Sequence, residues 1–113
     1  MFKKILILNR WSDELADLSH IIDHKSNLVS YIVDEEGYKG IKVPKEYVAE
    51  LHRVSSLNDA NQIFKIAEEI YEKYNGIDYV IAMSEFDLET AASIRSRLSI
   101  PGHKEETIKQ FRN

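Results

Sequence analysis

Three short polar stretches stand where chemistry is to be sought in this chain: Asn9-Arg10-Trp11, Asp34-Glu35-Glu36 and Ser84-Glu85. Each follows an apolar run that reads as a strand, and in parallel sheets ligands bind outside the carboxyl ends of the strands. Ser84 would act as a nucleophile only in a glycine-flanked elbow. Ala82-Met83-Ser84-Glu85-Phe86 has no glycine, so the serine reads first as a helix cap. Arg95 falls in the middle of the apolar face defined by Leu88, Ala91, Ala92, Ile94 and Leu98. A guanidinium there must be paired, or else lie where the face meets something polar. Glu85 or Glu89 is in reach, as is a carboxylate from another domain, and an internal ion pair is the reading the residues favour. His20 and His24 stand four apart, with Asp13 and Asp17 one and two turns earlier. The spacing suits a metal, but these residues lie opposite the stripe Trp11, Leu15, Leu18 and Ile22, so the plainer reading is a solvated helix face and no metal site is expected.

The commoner chemical signatures are absent. The turn after the first strand has no glycine, which removes the dinucleotide fingerprint, and no Gly-Lys-Ser/Thr triplet forms a phosphate loop. A phospho-aspartate receiver needs an acidic pair after the first strand and an aspartate after the third, where the chain has Asn9-Arg10 and Ser55-Ser56. With no cysteine, disulfides, thiolate metal sites and cysteine nucleophiles are excluded. Fifteen basic against nineteen acidic residues give a net charge of −4, which argues against a nucleic-acid binder.

The elements that position these residues follow from apolar periodicity. Lys3 to Leu8 and Leu28 to Val33 are runs of the kind buried on both faces of a parallel sheet. Ser12 to about Asp23 reads as a helix capped by Ser12. Residues 34–50 are irregular, with a short extended piece around Ile41 to Val43, and Leu51 to Val54 is a marginal third strand. Ala60, Ile63, Ala67, Ile70 and Tyr74 recur at helical spacing from Asn58 to Tyr74, with Gly76 placed as the left-handed cap. Ile77 to Ala82 reads as a strand, Phe86 to Leu98 as a helix and Lys104 to Arg112 as a last helix whose apolar face is only Ile108 and Phe111. The expected fold is one α/β domain of three layers, Rossmann-like, around a mainly parallel sheet of four or slightly more strands. The 113 residues suit a single domain. Neither a signal peptide nor a membrane helix is legible, so a cytoplasmic protein with no membrane partner is expected.

From Asp78 to Gly102 the sequence resembles the ATP-grasp ligases at the junction between their amino-terminal domain and their ATP-binding region. The matching elements are Ser84-Glu85, Ala91-Ala92, Arg95, the turn Leu98-Ser99-Ile100-Pro101-Gly102, and Phe111-Arg112-Asn113. Ser99 stands where the family turn has glycine, and the chain ends where the family's lysine follows. The resemblance covers nearly the whole chain as a layout and residues 78–113 as a motif. It implies a pre-ATP-grasp domain of the kind found at the front of biotin carboxylase and D-alanine–D-alanine ligase, with residues 103–113 beginning the connection to an ATP-grasp domain in cis. In such enzymes ATP and magnesium activate a carboxylate as an acyl phosphate, and a nucleophile attacks it.

Phosphoryl transfer needs a cation clamp and magnesium ligands around a triphosphate. These residues offer no such set, so no cofactor and no catalysis are expected of the fragment alone. Asn9, Arg10 and Trp11 by crevice position, with Ser84, Glu85 and Arg95 from the motif, would orient substrate or pair with another domain. The competing reading is a free-standing α/β binding or interaction module, dimerising through the Tyr71 and Tyr74 end of the long helix. A free-standing module would close Ile108 and Phe111 against its own core.

Overall fold

The structure is a computed structural model and describes residues 3–10, 23–41 and 43–100. Four parallel strands form one sheet in the order β3-β2-β1-β4: β1 (Lys4–Asn9), β2 (Leu28–Val33), β3 (Glu50–Arg53) and β4 (Tyr79–Ala82). Three α-helices accompany them, α1 (Glu35–Lys39), α2 (Ala60–Lys73) and α3 (Leu88–Arg97). The fold is the expected mixed α/β, Rossmann-like arrangement of an all-parallel sheet flanked by helices. The marginal third strand is real; of the extended piece expected around Ile41 to Val43, Ile41 and Val43 belong to no strand and residue 42 lies outside the described residues. The helices expected over 12–23 and 104–112 lie outside the described residues, as do Trp11, His20, Ile108 and Phe111. Among the described residues no helix is long and apolar enough to cross a membrane.

The central strands are apolar throughout because both their faces are covered. Leu6, Leu8 and Ile32 face one way and pack with Ile63, Ala67 and Ile70 of α2 and Ala91 and Ile94 of α3. Ile7, Val29, Tyr31 and Val33 face the other way. Burying isoleucines such as Ile63 and Ile70 contributes about 2 kcal/mol each. Tyr71 and Tyr74 also pack against the first core, and the Tyr74 hydroxyl donates to Glu50 Oε2 at 2.9 Å.

His24 departs from its expected surroundings. It lies in the turn before β2, not on a solvated helix face. It is buried, with its ring stacked on Tyr31 and Nε2 2.6 Å from the Tyr31 hydroxyl. No group of acidic residues and histidines suited to a metal occurs among the described residues.

Both long helices end in the same way. In α2 the Gly76 N–H bonds the Tyr71 carbonyl and Asn75 N–H that of Glu72; in α3 Ile100 bonds Arg95 and Ser99 bonds Ser96. This is the Schellman arrangement, in which the residue after the cap adopts left-handed backbone. That residue is Asn75 (φ 58°), one before the expected Gly76, and Ser99 (φ 54°). Ser99 thus holds a conformation that costs an ordinary L-residue about 1 kcal/mol and glycine nothing. Ser99→Gly is expected to raise stability by about 1 kcal/mol, with an upward shift in Tm of roughly 4 °C in thermal unfolding. No gain would mean that the Ser99 hydroxyl compensates the strain.

Candidate crevice at the carboxyl ends of the strands

The crevice is built where β1, β2, β3 and β4 end. Asn9, the last residue of β1, is 1% exposed, and its Nδ2 donates to the Gly37 carbonyl at 3.3 Å. Asp34 follows β2 and caps α1, its Oδ1 accepting from Gly37 N at 2.8 Å. This short helix was not legible in a stretch punctuated by Gly37 and Gly40. Gly37 lets α1 lie directly on the end of β1, since a Cβ there would stand 2.0 Å from the Asn9 carbonyl oxygen.

Arg10 is the centre of the crevice. Its Nη2 and Nε donate to Asp87 Oδ1 and Oδ2 at 2.6 and 3.0 Å, and Nη2 also reaches Asn58 Oδ1 at 3.2 Å. A fork-to-fork pair of this kind fixes the plane of the guanidinium. Asp87 is buried, and its bonds to Arg10 hold the guanidinium pKa above its usual value against the opposing effect of burial. Phe86, 68% exposed, lies under the guanidinium with 5.4 Å from carbon to ring centroid. Of the five guanidinium donors, the two on Nη1 have no partner among the described residues.

Ser84 is placed as a cap: it is buried, and its Oγ accepts from Phe86 N at 3.1 Å at the start of a 3-10 turn over Glu85–Asp87. Glu85 stands exposed beside it. The sheet therefore gathers Asn9, Arg10, Ser84 and Glu85 at one end. Asp34, Asn58, Phe86 and Asp87 join them, although none was singled out as an Arg10 partner from sequence. Asp87 had one signal, an acid five residues past a strand end, but its partner is 77 positions away.

Arg95 is not in this crevice. It lies further back along β4, where Nη1 donates to the Val80 carbonyl at 2.5 Å. The expected ion pair with Glu85 or Glu89 is not formed. Nε and Nη2 are buried without a hydrogen-bond acceptor among the described residues, and the residue is 6% exposed. The α3 periodicity that buries Ala91 and Ile94 carries Arg95 inward, whereas Glu85 and Glu89 point to solvent. Burial lowers the Arg95 pKa. Arg95→Met keeps the length of the side chain and removes that charge. It is expected to stabilise the isolated chain by about 1–3 kcal/mol in urea unfolding. A loss of stability would show that Arg95 is compensated after all.

No protein-family model matches the sequence, and no curated protein matches it. Among solved structures, the whole chain superposes on part of the crystal structure of L-amino acid ligase from Bacillus licheniformis, with a TM-score of 0.67 at 16% sequence identity. The chain spans 28% of the length of that protein. The likeness establishes a shared fold.

Proposed function

We propose that this chain serves as the amino-terminal, pre-ATP-grasp domain of an ATP-grasp ligase that activates a carboxylate as an acyl phosphate for attack by an amine or related nucleophile. The observation that carries the reading is the superposition of the entire chain on part of an L-amino acid ligase. The sequence resemblance of residues 78–113 to the ATP-grasp junction points the same way. Two physical features agree with it. The Arg10 guanidinium is immobilised by Asp87 with two Nη1 donors directed away from that pair, which suits orientation of a carboxylate or phosphate oxygen. Arg95 keeps two buried polar groups unsatisfied, as a domain does when a carboxylate from elsewhere in the protein completes it.

In this reading Arg10 and Glu85 face the small-molecule substrate, Asn9 and Ser84 are buried behind them as positioning groups, and Trp11, outside the described residues, is a further candidate. Arg95 meets the ATP-grasp domain in cis, and ATP and magnesium are held by lobes outside these residues. Arg10 would act as a fixed hydrogen-bond donor, and Asp87 and Asn58 as the groups that hold it still.

The test is ATP consumption by the full-length product of the reading frame, with magnesium and a panel of carboxylic acids and L-amino acids. Acid-dependent release of ADP and phosphate supports the proposal. Glu85→Gln, at an exposed position, is expected to change KM for one substrate several-fold while leaving the unfolding midpoint in place. No ADP release with any acid, or a reading frame without ATP-grasp lobes, would overturn it.

A further inference from the structure

β3 is an outermost strand of the sheet, and along it runs a groove of about 610 Å³. Its volume lies within the roughly 300–1,000 Å³ usual for small-molecule sites. The groove is separate from the crevice around Arg10, because its wall is the strand from Ala49 to His52 rather than the strand's carboxyl end. Ile41, Val48 and Leu51 line it and are themselves packed on the core of Ile7, Val29, Tyr31 and Val33, so its floor is apolar and supported from below.

The charges around the groove are one-sided. Its single lining carboxylate, Glu50, is already engaged: Oε2 accepts from Lys73 Nζ and the Tyr74 hydroxyl, both at 2.9 Å, and Oε1 lies 3.4 Å from His52 Nε2. The Lys73 bond, with that of Tyr74, holds the Glu50 carboxyl below its usual range despite partial burial. Two lysines remain on the rim. Among the described residues Lys39 meets only Glu36, at 3.3 Å, with both side chains more than half exposed, a pairing of little strength. Lys45 has no ion-pair partner among the described residues. An apolar floor under a cationic rim calls for a ligand with a hydrocarbon body and an anionic head.

We propose that the groove along β3 is a binding site for a small amphipathic carboxylate, its acyl or aryl body on Ile41, Val48 and Leu51 and its carboxylate between Lys39 and Lys45. The site is independent of the ligase reading, and it can be tested on this 113-residue chain by itself.

The experiment is a titration of the isotope-labelled chain with octanoate, kept below its aggregation concentration, followed by amide NMR shifts, with octylammonium as the control of equal length and opposite charge. Octanoate should give saturable shifts at Lys39, Ile41, Val48, Leu51 and His52, and octylammonium should give weaker ones. Lys39→Glu/Lys45→Glu, two exposed changes that leave the groove floor untouched, should weaken octanoate about tenfold, as the loss of two partly screened attractions implies. The same variant should improve octylammonium binding. Absence of saturation, equal response to both probes, or shifts confined to the Arg10 crevice would each overturn the proposal.

Discussion

Arg10→Met is expected to destabilise the chain by about 3 kcal/mol, because it leaves a carboxylate buried without its donors. Asp87 is 1% exposed, and both its oxygens are bonded to Arg10, so removing the guanidinium strands the negative charge where water cannot reach it. The effect belongs at the lower end of the range for buried pairs, since the Arg10 side chain keeps 19% of its surface exposed. Methionine preserves most of the apolar stem, so lost packing contributes little. Asp87→Leu in the same background should recover most of the loss by removing the stranded group, making the double variant more stable than the sum of the single changes predicts. Urea unfolding of the four proteins in this cycle measures the coupling directly. Additive effects would show that the pair is a surface contact with little energy in it. The same cycle bears on the proposed function, because Asp87 is then the group that holds Arg10 in position for a ligand.

Gly37→Ala should cost about 3 kcal/mol or more, a fall in Tm on the order of 10 °C. The sign is informative, because in an exposed helix this change would stabilise by about 1 kcal/mol. Here a Cβ would stand 2.0 Å from the carbonyl oxygen of Asn9, 2.7 Å from its carbonyl carbon and 3.2 Å from Arg10 Cα. These are backbone atoms of β1 and its exit, and no rotamer change relieves them. Either α1 lifts or the end of β1 shifts, and both break the bond from Asn9 Nδ2 to the Gly37 carbonyl. Arg10 follows β1, so its pairing with Asp87 should loosen as well. A thermal melt of Gly37→Ala matching or exceeding the parent would show that α1 is free to move, and that its contact with β1 does not support the crevice.

The alternation of strands and helices, the parallel sheet and the crevice end at which Asn9, Arg10, Ser84 and Glu85 gather are all legible along the chain. Those features rest on local rules: apolar runs in β1 and β2, the three-to-four-residue spacing of Ile63, Ala67 and Ile70, and Ser84 at a helix start. Periodic burial and capping are set by neighbours within a turn or two, so they are written along the chain. Ser99 marks an intermediate case. A serine at the end of a helix was visible in the sequence, but its meaning came only from the left-handed backbone at that position. The partners of the charged residues were decided by tertiary structure. Arg10 meets Asp87 across 77 positions because the chain returns to place β4 beside β1, and the same sheet order decides that α3 lays Arg95 against Val80 while Glu85 and Glu89 turn outward. Helical spacing showed that Arg95 faces inward; it carried no information about whether an acceptor waits there. Gly37 is alike: its small size was legible, but its necessity comes from a strand end 28 residues earlier. Contacts between segments distant in sequence depend on how elements stack, and no local pattern records that.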